Sequence, residues 1–136
     1  MHSTNYFNTL IEIAEDSRAT GGEAPPLKGD KKTVANLQFE LIHDHPYEFT
    51  SDELIFSVFA IRKEIPEAEW AAQRELFFSK GQPCLRASPL TKSYGWGIHS
   101  NAEGKIAMFG VGSDEYQRLL DDDTVVKTKA MRSKRA

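Results

Sequence analysis

An α+β domain is what this sequence predicts, with helices packed on one face of a small antiparallel sheet. Three observations carry that expectation. Between Tyr6 and Ala14 the chain alternates like a strand. Two segments, Thr33–His43 and Thr50–Ile65, combine helix-start signals with apolar residues at helical spacing. The later half holds two strand-like segments around Asn101-Ala102-Glu103-Gly104, the pattern of a hairpin. A strand, then helices, then strands and a last helix fits helices segregated against an antiparallel sheet.

Each element has a local reason. Phe7, Thr9, Ile11 and Ile13 fall on one face of the first strand and Tyr6, Asn8, Leu10 and Glu12 on the other. Residues Glu15 to Lys32 read as a loop, since Gly21, Gly22, Pro25, Pro26 and Gly29 punctuate them. Thr33 is the expected cap of a helix whose stripe is Val34, Leu37 and Leu41. Pro46 stops it. Thr50 with Glu53 three residues later fits a capping box. The helix behind it carries Leu54, Val58, Ile61 and Ile65, widened by Ile55, Phe56 and Phe59, and is expected at the centre of the core. Pro66 is expected to open a third helix, with Gly81 ending it in a left-handed conformation. Cys84–Ala87 reads as a short strand, and Gly95–His99 with Lys105–Val111 as the hairpin. Ser113 is the expected cap of a fourth helix, and Thr124–Met131 reads as one more short helix.

Composition bounds the function. The chain has 136 residues, 40% hydrophobic and 27% charged, which suits one folded domain and excludes a disordered or collagen-like chain. No apolar run approaches a bilayer span, so no membrane partner is expected. The net charge of −3 argues against nucleic acid. Lys127 to Ala136 hold five basic residues and no acid, a basic tail on a body of 12 basic and 20 acidic residues. The ordinary role of such a tail is to fold back on the acidic body. Cys84 is the single cysteine, and no secretory pattern precedes Asn8, which fits a cytoplasmic location.

One stretch stands apart. From Leu76 to Ala102 there is no Asp or Glu, while Arg86, Ser88, Lys92, Tyr94, Trp96 and His99 supply cations, hydroxyls, an indole and an imidazole. Cations and hydroxyls without competing carboxylates are what an anion site needs. The expected function is therefore binding of a small anionic or planar ligand near residues 81–99. Arg86 and Lys92 would neutralise it, Ser88 and Tyr94 would hydrogen-bond, and Trp96 would stack. The ordinary reading of Trp96 is a core residue, its flanking glycines letting a helix come close.

The same residues and their neighbours carry other readings. A thiol enzyme would use Cys84 as nucleophile and His99 as base, although no signature surrounds the thiol. A non-catalytic alternative is a homodimer joined through a strand edge. His43-Asp44-His45 lacks the i, i+4 spacing of a helical metal pair and reads as a polar helix end; no metal is expected. Nothing identifies a cofactor. The helices flanking Pro66 loosely fit a helix-turn-helix, but Glu67, Glu69 and Glu75 on the second would repel phosphates.

Four runs carry a resemblance. They are His2–Tyr6; Pro46-Tyr47 with Thr50-Ser51-Asp52; Phe77–Cys84 through Tyr94–His99; and Met131–Arg135. On these the chain resembles a family of small uncharacterised bacterial and fungal proteins, a domain of unknown function. The resemblance spans the whole chain and implies a stand-alone domain. It implies no activity and transfers no catalytic residue.

Overall fold

The computed structural model describes residues 2–133. In chain order the elements are β1 (Thr9–Glu12), α1 (Val34–Asp44), α2 (Ser51–Arg62), α3 (Trp70–Phe77), α4 (Pro89–Lys92), β2 (Trp96–Ser100), β3 (Ile106–Gly110), α5 (Asp114–Asp121) and β4 (Val126–Lys129). The class is α+β. The four strands lie in the order β3-β2-β1-β4. β1 and β3 are antiparallel to β2, with Ile11 opposite Ile98 and Ile98 opposite Met108. β4 runs parallel to β1, so the sheet is mixed.

The expected capping box of α2 forms, and the Thr33 cap of α1 proves to be a capping box as well. Thr33 and Asn36 close α1, and Thr50 and Glu53 close α2. One face of the sheet, through Ile11, Ile98 and Ile106, shares a core with Leu37 and Ile42 of α1, Leu54 and Val58 of α2, and Leu90 of α4. A second cluster, Phe56, Ala60 and Phe78 with Trp70 and Phe77 beside them, joins α2 to α3. α2 is thus apolar on two sides, the pattern of a helix with neighbours all round. Its expected stripe divides accordingly: Leu54 and Val58 enter the first core, Ile65 packs on the second, and Ile61 stays 44% exposed. α5 lies on the other sheet face. Its Tyr116 packs where a side chain at Gly97 would stand, 2.4 Å from a Cβ built there.

Several sequence expectations are corrected. Thr124–Met131 forms no helix; its β-branched residues Thr124, Val125, Val126 and Thr128 favour the strand that β4 is. Lys127 and Lys129 therefore belong to the sheet, while Lys134 and Arg135 of the basic segment lie outside the described residues. Cys84–Ala87 is a 3₁₀ turn over Leu85–Ala87 rather than a strand, because Ser88 caps α4 and Pro89 takes its first position. Pro66 precedes a single 3₁₀ turn, Glu67–Glu69, which leads into α3. That helix ends at Phe77, and Gly81 lies outside the left-handed region. The first strand is shorter than expected, since Asn8 at φ 48° bends the chain before Thr9.

Two stretches that look merely polar in sequence turn out to be joints. Asp52, 3% exposed in the first turn of α2, accepts bonds from the Thr4 backbone N–H and Thr4 Oγ1 at 2.7 Å and from Ser3 Oγ at 2.8 Å. Its own N–H donates to Asn5 Oδ1 at 2.9 Å. This clasp fixes the chain entry across the start of α2, and His2 N–H reaches on to the Phe78 carbonyl. The loop between β1 and α1 is a second joint. Its Gly21 and Gly22 lie over Gly95 and Trp96, Glu23 N–H donates to the Tyr94 carbonyl, and Asn36 Nδ2 donates to the Pro25 carbonyl.

Candidate functional site

Where the two apolar clusters meet, α2 leaves a seam. The chain from Pro83 to Pro89 passes beside it without filling it. The result is an open groove of about 250 Å³ between α1, α2, the end of α3 and that segment. Ile55, Val58, Phe59, Phe77 and Leu85 make its apolar walls, and Gln38, Arg62, Cys84 and Ser88 its polar points. No Asp or Glu lines it among the described residues.

The polar points are in different states. Ser88 is buried; its Oγ accepts the Leu90 N–H as the cap of α4 and donates to Gln38 Oε1 at 2.6 Å. Cys84 Sγ lies 3.4 Å from the Tyr6 hydroxyl. Burial is the main cause that raises the pKa of Tyr6; Cys84 adds to it and Arg86 opposes it. Arg62, in the last turn of α2, is exposed at the rim and has no ion pair or hydrogen bond among the described residues.

Of the residues singled out from sequence, the structure brings Cys84 and Ser88 to this groove and places the rest elsewhere. Arg86 turns toward β4: its Nε donates to the Lys129 carbonyl at 2.7 Å, and its carbonyl accepts the Met131 N–H. Lys92 stands half-buried at the end of α4, and Tyr94 packs on the first core. Trp96 is held by its own neighbours. Its indole N–H donates to the Glu23 carbonyl at 2.8 Å, Gly22 lies against the ring, and Phe39 approaches to 5.8 Å. Those contacts occupy the indole that sequence offered for stacking. His99 alternates with Ile98 along β2, so it faces away from the core that Ile98 enters. Its Nδ1 meets the Tyr47 hydroxyl at 2.8 Å. Burial lowers its pKa, more than the charge of Asp122 raises it. Cys84 and His99 are therefore on opposite sides of the sheet and cannot share a proton, which removes the nucleophile–base pair. His43 and His45 take Asp44 and Glu48 as partners, each at 3.2 Å.

Sequence reading missed Gln38 and Arg62, because both lie outside the acid-free stretch. Gln38 did leave a signal. It stands four residues after Val34 and four before Ile42, a polar residue on the apolar side of α1.

An α+β domain whose helical layer holds an apolar, acid-free groove is the class that fold and site define. The model of a family of unknown function (DUF6157) matches residues 1–136, and the chain belongs to that family. No curated protein and no solved structure matches it. Among the described residues no helix is long and apolar enough to cross a membrane.

Proposed function

We propose that this protein binds a small anion with an apolar body, in the cytoplasm, in the groove between α2 and Pro83–Pro89. The observation that carries this reading is the groove's lining: apolar walls and, among the described residues, an unpaired guanidinium at the rim and no carboxylate. Its volume of about 250 Å³ lies just below the range of roughly 300–1,000 Å³ common for ligand pockets, so the ligand is small. The walls would take an aromatic or branched body. Arg62 at the rim would add its positive charge to the attraction of the anion without having to touch it. An exposed ion pair contributes about 0–1 kcal/mol, so most of the affinity would come from the walls.

The test is a titration of ¹⁵N-labelled protein with 3-phenylpropionate, octanoate and inorganic phosphate. Amide shifts are expected at Ile55, Val58 and Leu85 with the two carboxylates and not with phosphate. Arg62→Ala is expected to weaken 3-phenylpropionate binding about threefold to fivefold, with stability changed by less than about 0.5 kcal/mol. Carboxylate shifts that map away from the groove, or none at millimolar concentration, would defeat the reading.

A further inference from the structure

The Gln38 side chain is buried, 6% exposed, yet it is only half satisfied. Its Oε1 accepts from Ser88 Oγ. Its Nε2 has no hydrogen-bond partner among the described residues. Every fully enclosed side-chain N or O there does have a partner, so Nε2 must touch open space. The open space that Gln38 lines is the groove.

The orientation of the amide follows from Ser88. Ser88 Oγ already accepts the Leu90 N–H, so its own hydrogen needs an acceptor. Gln38 Oε1 is the acceptor in reach, at 2.6 Å. A flipped amide would donate to the second lone pair of Ser88 Oγ and leave the hydroxyl hydrogen without this acceptor. The cap of α4 thus fixes the carboxamide with its NH₂ toward the groove. Two N–H donors with no acceptor, in an apolar and half-enclosed place, leave a hydrogen-bonding capacity that a ligand oxygen would meet.

We infer that Gln38 is a specificity-determining residue that reads a ligand carboxylate or carbonyl oxygen inside the groove, held in register by the Ser88 hydroxyl. This rests on the groove being the ligand site, and it names the ligand class: an apolar monocarboxylate whose oxygen enters first. An NH₂ group can donate and cannot accept, so it selects against a ligand that presents N–H at the same place. A carboxamide can offer only its one neutral oxygen, whereas either oxygen of a carboxylate accepts and carries charge, so carboxylates are preferred over the matching carboxamides when the groove is wild type.

The experiment compares 3-phenylpropionate with 3-phenylpropionamide by calorimetry at pH 8. Wild type is expected to favour the carboxylate. Gln38→Glu keeps the acceptor for Ser88 and the side-chain shape while replacing the donors by an anionic oxygen. It should weaken the carboxylate at least tenfold and leave the carboxamide bound as well or better. Gln38→Met removes the donors without adding charge and should lose carboxylate affinity by a similar factor; it serves if the acidic variant does not fold. Carboxylate affinity unchanged in both variants, with shifts still mapping to the groove, overturns the role of Gln38 and leaves the groove as the ligand site. Shifts outside the groove, or no binding of the carboxylate to wild type, overturn both.

Discussion

Two segments of the acid-free stretch, a later and an earlier end of its middle part, meet opposite fates. At Tyr94–Gly97 the neighbouring chain closes over it. The loop before α1 lays Gly21 and Gly22 on Gly95 and Trp96 and supplies the Glu23 carbonyl to the indole. At Pro83–Ser88 the side toward α2 stays open, although Arg86 is tied to β4 on the other side. Among the described residues Gln38 Nε2 and Arg62 have no partner, and the walls of Ile55 and Phe59 remain open. A lack of carboxylates is shared by both ends and so does not mark a site by itself. What separates them is whether another segment of the same chain has covered the apolar surface. At the closed end glycine made that possible, because backbone without Cβ can lie directly on a ring or on another strand.

Gly95→Ala should break the closed end most severely. Gly95 sits at φ +79°, and a Cβ built on it stands 2.1 Å from the Gly21 carbonyl oxygen. Left-handed strain and a clash with backbone together should cost about 3 kcal/mol in urea unfolding. A cost under about 1 kcal/mol would show that the loop lifts easily and that the two ends differ less than the contacts indicate. Trp96→Phe is the milder cut. It removes the indole N–H bond to Glu23 and part of the ring, for about 1–2 kcal/mol. Binding of 3-phenylpropionate should be unchanged in this variant. A joint loss of stability and binding would mean that the closed end and the groove act as one unit.

Much of the fold was legible because its signals are local. Thr33 and Thr50 cap the helices they were expected to cap, and Ser113 caps α5. The Asn101–Gly104 turn joins β2 to β3. The misreadings have local causes as well. β4 was hidden by its shortness, and its pairing partner β1 lies more than a hundred residues away. At Ser88-Pro89 the helix-start chemistry is masked by the strand-like apolar residues before it. The groove was legible only in part. Cys84 and Ser88 lie in the stretch that drew attention, but Gln38 and Arg62 come from helices α1 and α2. Composition along one segment does not reveal which side chains of distant segments face it. The same limit explains Ser3, Thr4 and Asp52, whose polarity has a purpose only once α2 and the chain start meet.

The smallest effect lies on the far face of the sheet, and it separates that face from both ends of the stretch. His99 is half-buried against Tyr47, and burial lowers its pKa despite the attraction of Asp122. An unfolded histidine titrates near pH 6.5. Between that pH and the lower folded value, the unfolded chain binds the proton and the folded chain does not. The contribution of His99 is therefore fully present above about pH 6.5, is lost as pH falls toward the folded value, and is constant below it. His99→Gln should remove this step and keep a side chain able to bond the Tyr47 hydroxyl. The measurement is the difference between wild-type and variant unfolding free energies from pH 8 to pH 4.5. Other titrating groups cancel in that difference, so a curve flat with pH would show that the imidazole is as well solvated folded as unfolded. Because neither Trp96 nor Gln38 titrates in this range, the step should persist in Trp96→Phe and Gln38→Met, which separates it from the closed segment and from the groove and leaves it with His99 and its neighbours Tyr47 and Asp122.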